Sequence, residues 1–76
     1  MTLNELIEKW ENISWETTLY IEFYRANKFN TAVYIGNLKI LVADIRNPKN
    51  PYHDLLNKEV FRFRKGCNGT RIYCYD

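Results

Sequence analysis

Acid–base, metal or nucleophilic chemistry needs a histidine, paired carboxylates or an activated thiol at a usable spacing. The 76-residue sequence supplies few such groups, and its one histidine, His53, is followed by Asp54. A lone imidazole excludes multi-histidine metal sites and most histidine relays, so His53-Asp54 reads as a surface position in the first turn of a helix. Cys67 and Cys74 stand seven residues apart, which matches no zinc-ligand spacing. The hairpin register derived below does not set these two cysteines opposite each other, so they read as reduced thiols. Gly66 and Gly69 bracket a turn and do not lead from a strand into a helix, so no phosphate-binding loop is spelled. The expectation is a protein that is not an enzyme and uses no cofactor or metal.

Residues suited to binding are better supplied. Arg62 and Arg64 alternate with Phe61 and Phe63, and Tyr73 and Tyr75 alternate with Ile72 and Cys74. With Asn68-Gly69 as a two-residue turn, Phe63 pairs with Cys74, Arg62 with Tyr75 and Arg64 with Tyr73. One face of that hairpin then carries Phe61, Phe63, Ile72 and Cys74 toward a core, and the other carries arginine and tyrosine together. Tyr20, Glu22 and Tyr24 form a second polar-aromatic stripe. Tyr20, Tyr24, Arg62, Arg64, Tyr73 and Tyr75 are therefore the candidate binding residues. Three surfaces share this pattern. Single-stranded nucleic acid or a nucleotide would stack bases on the rings and place phosphates on Arg62, Arg64, Lys65 and Arg71. A protein interface uses tyrosine and arginine as its hot spots, and a plain solvated sheet uses them as cross-strand pairs.

The elements that position these residues follow from periodicity. Thr2 followed by Glu5 is a capping box, and Leu3, Leu6, Ile7 and Trp10 line one face of a helix over about Leu3 to Glu11, ended by Asn12. From Thr17 to Arg25, Leu19, Ile21 and Phe23 alternate with Tyr20, Glu22 and Tyr24, the period of a half-buried strand. A loop over Ala26 to Lys28 leads to a second strand with Val33 and Ile35 inward, but beyond Gly36 the apolar positions become Leu38, Ile40 and Val42. A two-residue turn at Gly36-Asn37 and a β-bulge in one long strand explain that parity switch equally. Asp44 to Asn50 reads as a loop, and Asn50-Pro51 starts a short helix to about Asn57 that Leu55 and Leu56 would dock. The expected architecture is α+β: an N-terminal amphipathic helix packed on an antiparallel sheet of four or five strands, with a short second helix.

Length and composition set the frame. A 9.2 kDa chain holds a single domain, residues 1–76, that buries only about 60% of its unfolded surface. Aromatic residues form 16% of it, with Phe23, Phe61, Phe63 and Trp10 expected in the core and Trp15 beside Trp10 as a second core staple. The net charge of +2 divides into −4 over residues 1–24 and +6 over residues 25–76, a dipolar molecule. Nothing approaches 18 consecutive apolar residues, and Met1 to Ile7 lacks the basic and apolar regions of a signal peptide, so a cytoplasmic protein is expected. Small sheets with free edges also gain from self-association, so a homodimer is a further expectation.

The segments Leu3-Asn4-Glu5-Leu6-Ile7-Glu8-Lys9, Thr18-Leu19-Tyr20-Ile21, Asp54-Leu55-Leu56-Asn57-Lys58-Glu59-Val60 and Arg71-Ile72-Tyr73-Cys74-Tyr75 resemble, in their order, small accessory proteins of phages and mobile elements of Gram-positive bacteria. That resemblance implies a stoichiometric inhibitor that occludes a surface of a host protein or ribonucleoprotein, as anti-CRISPR and other anti-defence proteins of this size do. It carries over no catalytic or ligand residue. Glu5, Glu8, Glu11 and Glu16 would mimic phosphates toward a basic channel, or Arg62, Arg64 and Lys65 would meet an anionic partner.

Overall fold

The computed structural model describes residues 1–10, 13–26, 31–66 and 69–75. It is α+β, in the order α1 (Leu3–Lys9), β1 (Thr18–Ala26), β2 (Ala32–Leu41), α2 (Val42–Ile45), a 3₁₀ helix (His53–Asn57), β3 (Val60–Gly66) and β4 (Gly69–Tyr75). The capping box forms as the sequence predicts: Glu5 N–H donates to the Thr2 hydroxyl at 3.2 Å and Thr2 N–H donates to the Glu5 carboxylate at 3.2 Å. Two orphan amides at the helix start are thereby satisfied. The helix is shorter than expected, because Trp10 turns extended and its amide closes back on the Ile7 carbonyl. Glu11 and Asn12 lie outside the described residues.

Four strands form one sheet in the order β2-β1-β4-β3. The sheet is mixed, which corrects the antiparallel expectation: β1 pairs antiparallel with β2, but parallel with β4. Hairpin signals are local, whereas a parallel neighbour needs a crossover and leaves no mark in either strand's own residues. Here residues 42–59 carry the chain back along the sheet, and β3 then returns β4 to the centre. The N-terminal residues brace this crossover. Leu3 N–H donates to the Lys58 carbonyl at 2.9 Å, and Val60 N–H to the Met1 carbonyl at 2.8 Å.

Two bulges decide which side chains face which way. Gly36 stands opposite Phe23 and Tyr34 opposite Tyr24, so Ile35 is the extra residue and β2 is one bent strand. The bulge, not the turn, explains the parity switch, and the sheet has four strands. In β3, Val60 pairs with Cys74 and Arg62 with Tyr73, which makes Phe61 the extra residue. The β3–β4 register also corrects the expected hairpin: Phe63 pairs with Ile72, Arg62 with Tyr73 and Arg64 with Arg71. Pairing continues to Gly66 opposite Gly69, so every partner lies two residues from the expected one, and Asn68 of the expected turn lies outside the described residues. A shift of two preserves the faces.

The core between the helices and one face of the sheet is aliphatic. Leu3, Leu6 and Ile7 of α1 meet Leu19, Ile21, Ile40, Ile72 and Cys74 of the strands, with Val42, Ile45, Leu56 and Val60 completing it. Trp10 and Phe23 pack only at its margin. Phe61 and Phe63, expected inside, are 40% and 49% exposed, and Trp15, expected as a core staple, is 62% exposed beside the Arg46 guanidinium. Phe63 leans on Trp10 at a ring distance of 5.2 Å, while the bulge carries Phe61 to the other side of the sheet. The second helix also differs: it begins at His53, not Pro51, and is 3₁₀. The segment read as loop from Asp44 is partly α2, whose Ile45 carbonyl lies 3.0 Å from His53 Nδ1.

Candidate binding face

The helices cover one face of the sheet, and the other is open. Alternation from Leu19 and Ile21, both fully buried, puts Tyr20, Glu22 and Tyr24 on the open face of β1. The same logic from Ile72 and Cys74 puts Arg71, Tyr73 and Tyr75 there from β4. Arg62 and Arg64 join through their pairing with Tyr73 and Arg71, and Lys39 through its pairing with Tyr20. All six candidate residues, Tyr20, Tyr24, Arg62, Arg64, Tyr73 and Tyr75, thus share one surface.

Reading the register across the strands gives three rows. At one end Lys39, Tyr20, Arg71 and Arg64 are consecutive neighbours from β2 to β3. The middle row is Asn37, Glu22, Tyr73 and Arg62. At the other end Tyr34, Tyr24 and Tyr75 lie side by side, and the bulged Phe61 packs on Tyr75 with centroids 4.5 Å apart. Cations therefore collect at one end and rings at the other.

The ring end is a connected cluster. Tyr24 meets Tyr34 at 5.7 Å, Phe61 at 5.5 Å and Tyr73 at 6.0 Å, in edge-on or tilted geometries that suit the aromatic quadrupole. Asn37 donates its side-chain amide to the Tyr34 hydroxyl, a contact available because the bulge puts residues three apart on the same face. The Tyr24 phenol is pushed above its ordinary value, first by partial burial among these rings and then by the Glu22 carboxylate. It is neutral at physiological pH and presents an O–H donor.

At the cationic end, Lys39 Nζ sits 5.5 Å from the Tyr20 ring centre, and in the middle row the Arg62 guanidinium sits 5.7 Å from that of Tyr73. A depression of about 270 Å³ opens between Tyr20, Glu22, Lys39 and Arg71. Glu22 is the one acidic side chain in these rows, against four cations.

The groups that could do chemistry lie elsewhere. Cys74 is fully buried on the covered face, and burial pushes its thiol up to about 11, which keeps it protonated and unreactive. Cys67 lies outside the described residues. His53 is engaged with the α2 carbonyl, and among the described residues no group of three histidine, cysteine or acidic side chains could hold a metal. No helix among the described residues is long and apolar enough to cross a membrane.

Sequence reasoning leaves Tyr34 out of the candidate residues, although alternation from Val33 and Ile35 already points it outward, and it places Phe61 on the wrong side, because the bulge in β3 reverses the alternation there. Arg71 is already expected among the phosphate-binding cations, whereas Lys39 carries no signal of its own until the register sets the two on either side of Tyr20; Lys65, expected with Arg71, instead pairs with the buried Thr70. Compared with protein families, with curated proteins and with solved structures, the chain matches none.

Proposed function

We propose that this chain is a non-catalytic binding protein that works through the open face of its sheet, covering a surface of a host factor as a cytoplasmic inhibitor encoded by a phage or mobile element. The observation that carries the binding reading is the connected cluster of Tyr24, Tyr34, Phe61, Tyr73 and Tyr75 on the face no helix covers. A contiguous ring cluster left in water is the usual mark of an interaction surface, and tyrosine beside arginine is the composition of binding hot spots. The inhibitor role rests on the resemblance to phage accessory proteins and on occlusion as a mode of action that needs no catalytic residue. The alternative in which the acidic helix mimics phosphates is less well supported. Glu5 is occupied by the capping box, and Glu8 has Arg46 3.8 Å away.

Affinity capture from a Gram-positive host lysate tests this reading, with the wild-type chain compared with Tyr24→Ser. The expected result is one host complex recovered in near-integer ratio by the wild type and lost by the variant, whose far-UV circular dichroism is unchanged. Recovery of the same complex by both chains would show that the open face is not the working surface.

A further inference from the structure

The cationic end of the face identifies what class of partner it takes. Arg64 stands directly opposite Arg71 in the β3–β4 pair, and among the described residues neither is matched by a carboxylate. Like charges directly opposite in an antiparallel pair are destabilising, so folding alone does not favour this placement. Adding Lys39 on the far side of Tyr20 makes a line of three cations and one ring that crosses all four strands. With neighbouring strands about 4.8 Å apart, the line is about 14 Å long. Local rules are broken in this way where a site needs the arrangement for something else.

We infer that the open face binds single-stranded nucleic acid, with phosphates on Lys39, Arg71 and Arg64 and bases on the exposed rings beyond them. This inference rests on the binding reading above and assigns its partner class. Charge complementarity favours a polyanion, since the face carries four cations against Glu22 alone. The rings favour a strand whose bases are unstacked, because in a duplex the base faces are already covered by their neighbours. From Tyr20 to Tyr24 along β1 is about 13 Å, room for two or three stacked bases on a four-stranded sheet. Tyr20 is the pivot: it stands between Lys39 and Arg71 and lines a depression with both, so one nucleotide can place its base on the ring and its phosphate on a flanking cation.

Fluorescence anisotropy with labelled oligouridylate and oligodeoxythymidylate of about twelve nucleotides tests the inference. Three phosphate contacts on a single strand predict an affinity that falls about 20-fold between about 50 and about 200 mM salt. Arg64→Glu is expected to weaken binding at least about tenfold and to lower the salt slope by about one. Tyr24→Ser weakens it with the slope unchanged, and Lys49→Glu, a charge reversal away from this face, has no effect. Three results would overturn the inference: no oligonucleotide bound at about 50 mM salt, a polyglutamate peptide bound in preference to any oligonucleotide, or a duplex bound as tightly as a single strand and indifferent to Tyr24→Ser. In each case, loss of the stoichiometric host complex by Tyr24→Ser would leave the binding reading standing. If Tyr24→Ser and Arg64→Glu change neither the complex nor oligonucleotide binding, both fall.

Discussion

On its covered face the sheet presents Leu19, Ile21, Ile40, Ile72 and Cys74, and on its open face the same strands present Tyr20, Tyr24, Tyr34, Tyr73 and Tyr75 among four cations. The chain is rich in aromatics, yet among the described residues the buried cluster of twelve contains none. A thin layer between a seven-residue helix and a sheet is filled by branched aliphatics that interlock at close range. The large rings stand where their area is open to a partner. The aromatic surplus therefore does not compensate for a small core; it furnishes a surface.

The contrast can be broken most forcefully by paired truncations. Ile21→Ala, at a fully buried position in the central β1, is expected to cost about 2–5 kcal/mol in chemical denaturation. Tyr24→Ser on the same strand removes three ring contacts and is expected to cost only about 1 kcal/mol, since its rings remain partly solvated. Equal losses would mean that the open face is a second core.

A smaller effect probes how the covered side is held. Thr2→Ala removes the hydroxyl that caps α1 and is expected to cost about 1 kcal/mol. It also removes a pH response. The backbone N–H of Thr2 and then its hydroxyl hold the Glu5 carboxyl below its ordinary value. The folded state thus binds the Glu5 proton less readily than the unfolded state does. The resulting stability is present above the unfolded value and is lost as pH falls through the lowered folded one. Titrating the unfolding midpoint from neutral to acid pH should give a steeper decline in the wild type than in a variant lacking the Glu5 carboxylate, Glu5→Gln.

The smallest effect has the opposite sign. Arg64→Glu replaces a like-charge cross-strand pair with an attractive one, so thermal unfolding should rise by the equivalent of a few tenths to about 1 kcal/mol. Stabilisation accompanied by lost binding would separate what the fold needs from what the face needs. A fall in stability would mean that Arg64 is held by the fold after all.

Much of this contrast is legible in the sequence where the signal is local. The capping box at Thr2 and Glu5, the alternation from Leu19 to Tyr24 and the sharing of one face by arginine and tyrosine all follow from neighbours a few residues apart. What is not legible is what one extra residue or a distant partner decides. Ile35 and Phe61 each reverse the alternation of a strand, and nothing in their own types marks them as bulged. Phe61 is as apolar as any core residue, so its outward placement follows from register alone. Val42 to Ile45 continues the apolar run of β2, but the chain turns helical where its amides reach loop carbonyls: Val42 N–H donates to Thr17 and Ala43 N–H to Trp15.

The parallel pairing of β1 with β4 has a consequence for how the molecule is made. Leu19 meets Thr70 and Tyr24 meets Tyr75 at the middle of the sheet, so its two central strands are separated by everything that lies between them in the chain. Neither Ile21 nor Ile72 is sheltered until that long loop closes. Loop closure of this length slows folding relative to a sheet of successive hairpins. Until then each hairpin exposes an edge that the native molecule hides at its centre, so the transient species most prone to aggregate are two half-sheets that have not yet met.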